Sequence, residues 1–76
     1  MSDHEHYLDV MGLLCPLPVL KTRKRLTDLG VDTVLKVDAT DPASVIDFPH
    51  FCNESGHALV DHDEQDGTYS FWIRKK

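Results

Sequence analysis

Two prolines with one residue between them, Pro16 and Pro18, separate a short alternating segment from one patterned as a helix. Proline holds φ near the helical value and lacks the N–H that a first helical turn leaves unpaired, so it suits a helix start and breaks a helix elsewhere. The pair therefore marks where one element ends and the next begins, and it confines Cys15 to the entrance. The spacing predicts Cys15 as N-cap, with Pro16, Leu17 and Pro18 in the first three helical positions. An N-cap side chain accepts from the second or third backbone N–H, and Pro18 has none, which leaves Leu17 as the local donor to sulfur. The positive end of the helix favours thiolate over thiol, so Cys15 is expected to be an accessible, ionisable nucleophile.

The remaining pattern is read outward from that point. Tyr7 to Met11 alternates as a first strand, and Gly12 punctuates it. From Pro16 to Leu29 a stripe of Val19, Thr22, Leu26 and Leu29 opposes Lys21, Lys24, Arg25 and Asp28, with Gly30 expected to end the helix. Val34 to Ala39 reads as a second strand with Leu35, Val37 and Ala39 on one face. Asp41-Pro42 predicts a second N-cap and first helical position. Val45, Ile46, Phe48, Phe51 and Cys52 supply the apolar content of that helix, and Pro49 is expected to kink or divide it. Gly56 closes it, Ala58 to Val60 leads into a polar stretch turning at Asp66-Gly67, and Thr68 to Arg74 alternates again.

Strand, helix, strand, helix, strand, strand is an α/β (α+β) order. Both helices need an apolar surface and the chain is too short to cover two sheet faces, so a two-layer sandwich is expected, with two helices on one face of a four-stranded mixed sheet. The 76 residues read as a single domain, with residues 1–6 as a tail. A chain of this length buries only about 60% of the surface it exposes unfolded, so chemistry is expected at the surface, on partner proteins or on groups carried by a side chain. The net charge of −5 disfavours direct nucleic-acid binding. No apolar run approaches the roughly 20 residues of a membrane span, and the amino terminus is neither basic nor apolar, so the chain reads as cytoplasmic.

Pattern alone leaves Cys15 open to a second reading, a buried cysteine beside a proline-marked helix start. The segment Leu8 to Pro18, with Arg23-Lys24 two turns later, resembles the TusA/SirA family of small sulfur carriers, whose hallmark is this Cys-Pro-x-Pro. The resemblance continues through Asp41-Pro42-Ala43, Asp47-Phe48-Pro49, Phe51-Cys52, Gly56-His57 and Ile73-Arg74-Lys75, nearly the whole chain. It implies a fold like the C-terminal domain of translation initiation factor three. It also implies a persulfide on Cys15, shaped by Pro16, Leu17 and Pro18, loaded by a cysteine desulfurase or similar donor and passed to an acceptor protein, as in 2-thiouridine formation in transfer RNA or in sulfur oxidation. Leu14 stands where many members carry a basic residue.

Arg23 and Lys24, with Lys21 and Arg25, read as a docking face for acidic partners or as a solvated helix face. Cys52 reads as packing, with a Cys15–Cys52 bridge disfavoured in a reducing compartment. Asp41, Asp47 and His57 match the family pattern without an assigned catalytic role. The histidines, His4, His6, His57 and His62 among them, match no compact zinc spacing, and the proposed transfer requires no cofactor or metal. The rival from another class is a non-catalytic regulatory or adaptor domain whose Cys15 is at most a redox sensor.

Overall fold

The computed structural model describes residues 6–76, so His4 and all of the expected tail except His6 lie outside the described residues. Strand β1 (His6–Asp9), helix α1 (Leu17–Thr27), strand β2 (Val34–Ala39), helix α2 (Ser44–Ser55), strand β3 (Ala58–Gln65) and strand β4 (Thr68–Arg74) follow in the expected order. The strands form one mixed sheet in the order β1-β2-β4-β3, parallel between β1 and β2 and antiparallel elsewhere.

Period-two alternation explains the sheet. Leu35, Val37 and Ala39 of β2 and Phe71 and Ile73 of β4 turn inward and are buried, joined by Leu26 of α1 and Phe48, Phe51 and Cys52 of α2. Phe48 stacks on Phe71 with ring centroids 4.6 Å apart, fixing α2 against the sheet. Val60 bulges out of register between Leu59, opposite Ile73, and Asp61, opposite Trp72. The bulge restores the alternation, so that Asp61 and Asp63 share the uncovered face with Trp72 and Ser70. Trp72 therefore lies on the uncovered side, with Lys36 5.4 Å from its ring centroid. Asp66 and Gly67 both carry positive φ, 52° and 85°, as a tight two-residue hairpin turn requires.

Several boundaries differ from expectation. Helix α1 starts at Leu17 with Pro16 as N-cap, because Leu17 N–H donates to the Leu14 carbonyl at 2.9 Å and the chain turns once before becoming helical. Cys15 is thus one residue outside the cap, and Pro18 is the second helical residue. Gly30 is not the C′ residue either: Asp28 caps α1, its N–H donating to the Arg25 carbonyl and that of Leu29 to the Leu26 carbonyl, each at 3.1 Å. Helix α2 begins at Ser44 rather than at Pro42, since Asp41 to Ala43 form a preceding turn with Ser44 N–H donating to the Asp41 carbonyl at 2.9 Å. Pro49 neither ends nor divides α2. Both Pro49 and Val45, whose carbonyl the ring leaves unpaired, are exposed, so water can take the vacant acceptor. Val45 and Ile46 likewise face outward, 52% and 73% exposed, and only Phe48, Phe51 and Cys52 carry the packing expected of the apolar set.

Candidate functional site

Cys15 sits in the connection between the end of β1 and the start of α1, and the far end of β2 holds that connection in place. Val10 N–H donates to the Asp38 carbonyl at 2.9 Å and Gly12 N–H to Thr40 Oγ1 at 2.8 Å. Gly12 turns the chain with φ of +83°, a conformation that favours glycine. Cys15 N–H donates to Asp41 Oδ2 at 2.6 Å, and the other oxygen, Oδ1, accepts from Ala43 N–H at 3.1 Å. One carboxylate therefore ties Cys15 to the turn before α2. Asp41 was expected to cap α2, but the N-cap is Ala43 with no side-chain hydrogen bond, and Asp41 instead joins the turn before α1 to the turn before α2.

The Cys15 side chain is exposed, and both cysteines are free thiols. Its ionisation differs from expectation. The thiol is pushed above its ordinary pKa, first because the Asp47 carboxylate stands where it accepts the thiol hydrogen, then by desolvation and by the charges of Asp47 and Asp41. The helix terminus does not offset this. No side chain caps α1, Pro18 has no N–H, and the one on Leu17 is committed to Leu14. The carboxylates of Asp47 and Asp41 raise the thiol, while the donors of the helix end point elsewhere.

Beside the sulfur lies a shallow, largely apolar cavity of about 280 Å³, lined by Cys15, Pro16, Val19, Asp47, His50, Phe51 and Glu54. Leu17 is 46% exposed at the start of α1, and Pro18 is buried beneath it, anchoring the helix start through Thr22 Oγ1, which donates to the Pro18 carbonyl at 2.8 Å. Arg23 and Lys24 are exposed farther along α1, with Arg25 half-buried, and none of them lines the cavity. The structure brings together Cys15 and Pro16, but not Arg23 and Lys24 with them. The residues sequence reading missed are His50 and Glu54, together with the proximity of Asp47. Their spacing of three and seven places them on one stripe of α2, a visible signal, but which stripe faces Cys15 depends on how α2 packs.

Cys52 is 4% exposed within the core, as expected of a packing cysteine, and burial lifts its thiol to about 11. Among the described residues no three His, Cys, Asp or Glu side chains are grouped as a metal site, and no helix is long and apolar enough to cross a membrane.

The family model described as Sulfurtransferase TusA matches residues 6–75. The sulfur carrier protein TusA of Pseudomonas entomophila is 48% identical over 73 residues, spanning 96% of this chain and 91% of that protein. Its counterpart in Pseudomonas aeruginosa is 49% identical over 69 residues, 91% of this chain and 87% of the relative. The crystal structure of a SirA-like protein from Desulfitobacterium hafniense superposes with a TM-score of 0.79 at 26% identity, covering 90% of this chain and 93% of that one.

Proposed function

The chain belongs to the TusA family of sulfur carriers, and from that premise we propose that Cys15 Sγ is the atom that carries sulfur, accepting it from a cysteine desulfurase or similar persulfide donor and passing it to an acceptor protein. A carrier of this kind works between a donor and an acceptor. The supporting observation is an exposed free thiol at the mouth of a shallow cavity. The second cysteine is shut inside the core and cannot meet a partner without unfolding.

The transfer needs no more than sulfur chemistry. Cys15 gives up its proton to solvent, and the thiolate attacks the outer sulfur of the donor's Cys–S–SH. A new S–S bond forms on Cys15 while the donor's S–S bond breaks. The bonding pair leaves on the donor thiolate, which takes a proton from solvent, and the outer sulfur keeps its own hydrogen. Transfer onward repeats the step with an acceptor thiolate as nucleophile and Cys15 as leaving group. Pro16 and Leu17 shape the approach, Pro18 holds the helix start from below, and Arg23 and Lys24 on α1 provide a face for an acidic partner surface. The end of the route is 2-thiouridine formation in transfer RNA or another sulfur-delivery chemistry, reached through the acceptor.

Incubation with a cysteine desulfurase and free cysteine, followed by mass spectrometry of the intact protein, tests the assignment. One sulfur atom is expected on the native chain and on Cys52→Ser, and none on Cys15→Ser. Sulfur retained by Cys15→Ser, or a native chain that gains none while remaining folded, overturns it.

A further inference from the structure

The lining of the cavity beside Cys15 has a charge pattern that a bare thiol nucleophile does not call for. Pro16, Val19 and Phe51 supply apolar walls, while Asp47, His50 and Glu54 bring two carboxylates and an imidazole from α2. Asp41 adds its charge from the loop before α2, and α1 contributes no charged side chain to the lining. The charged groups bearing on Sγ are thus carboxylates, Asp47 foremost, and they hold the thiol above its ordinary pKa. This works against sulfur exchange twice, because the attacking form of Cys15 is an anion and so is an incoming thiolate.

A positive group seated in the cavity removes both penalties. Its alkyl stem can lie along Pro16, Val19 and Phe51, its charged head can meet Asp47 and Glu54, and the Phe51 ring offers an additional contact to a cation. We propose that this cavity seats a lysine or arginine side chain that a sulfur-exchanging partner presents beside its own reactive cysteine, so that Cys15 exchanges with cation-flanked sulfur in preference to neutral or anion-flanked sulfur. The proposal rests on the carrier reading and names the chemistry of the partner at the same site.

Small disulfides isolate this preference from sulfur carriage. The Cys15 thiolate attacks one sulfur of R–S–S–R, a Cys15–S–S–R bond forms, and RS⁻ leaves with the electron pair of the broken bond. Cystamine, bis(2-hydroxyethyl) disulfide and dithiodiglycolate supply cationic, neutral and anionic R groups. Rates of mixed-disulfide formation at Cys15, read by mass spectrometry and each divided by the rate with N-acetylcysteine amide, a thiol with no other charge, remove the intrinsic reactivity of each probe.

The native chain is expected to favour cystamine over dithiodiglycolate by about tenfold, the scale of one to two close charge contacts in water. Asp47→Asn combined with Glu54→Gln is expected to cut the ratio to the small remainder that Asp41 supports. Asp61→Asn with Asp63→Asn, an equal charge change on the uncovered sheet face, is expected to leave it standing. High salt is expected to shrink the ratio in the native chain, which keeps the test decisive should the cavity variant not fold. A native ratio near one, a ratio insensitive to salt, or one that survives undiminished in a folded cavity variant overturns the proposal. So does an equal loss in the sheet-face variant. None of these outcomes touches the desulfurase loading experiment, so the two readings fail separately.

Discussion

Two cysteines of one chain meet opposite environments, and the physical cause differs for each. Cys15 is open to solvent and its thiol is raised by a neighbouring carboxylate, whereas Cys52 is raised by burial among apolar side chains. A thiol that is hard to ionise in the folded state stabilises that state only while it keeps its proton. Above about pH 9 the unfolded chain releases the Cys52 proton and the folded chain retains it up to about 11, so unfolding gains as pH rises through that window. Urea denaturation between about pH 8 and about pH 11 is expected to show a decline in stability that is shallower in Cys52→Ala. An equal slope in the two proteins would remove Cys52 from the account. Under native conditions maleimide should label Cys15 alone, with Cys52 reacting once denaturant is added.

Between elements, the decisive contact is the Asp41 carboxylate, which satisfies the N–H groups of both Cys15 and Ala43 and so joins the turn before α1 to the turn before α2. Truncating this side chain to a methyl group leaves two backbone donors without their partner, a loss of about 1–2 kcal/mol. Asp41→Ala is therefore expected to lower the urea midpoint, and Asp41→Asn, which keeps one acceptor oxygen, to recover part of it. An unchanged midpoint in Asp41→Ala would show that water replaces the carboxylate without cost. Much of this layer was legible in the sequence: β2 and β4 begin and end where alternation says, and Gly56, with φ of 88°, closes α2 as expected. The helix starts were displaced because Leu14 to Leu17 and Asp41 to Ser44 each close a turn first, and turn geometry has no period to read. That Pro49 does not divide α2 has a related reason, since the cost of a proline within a helix depends on whether its orphaned carbonyl meets water, and that is a property of the packed molecule. Cys15 itself stood out from its prolines, but the nearness of Asp47 did not, because the two come to line one cavity only after α2 docks on the sheet.

At the scale of the whole molecule the basic residues of α1 lie on the opposite side from an acidic sheet face. On the uncovered sheet face Asp9, Asp38, Ser70 and Asp63 run across neighbouring strands, flanked by Tyr7, Lys36, Trp72 and Asp61 in the adjacent row. The helical layer carries Lys21, Arg23, Lys24 and Arg25 on α1, with the carboxylates of α2 close to the sulfur. A partner that reaches Cys15 from the helical side therefore meets positive charge along α1 and negative charge at the cavity, so its complementary surface is acidic at the rim and basic beside its own cysteine. Rim charges act mainly on the rate of encounter and are screened by salt, while a charge seated in a cavity acts on the exchange itself. Arg23→Glu with Lys24→Glu is accordingly expected to slow sulfur loading from a desulfurase by about tenfold at low salt, to lose most of that difference at high salt, and to leave thermal stability within about 0.5 kcal/mol of the native chain. The same variant should keep the native preference among small disulfides, because neither residue lines the cavity. Loading kinetics across a salt series decide the matter: a native rate at low salt would mark these side chains as an ordinary solvated helix face and leave α1 without a docking role.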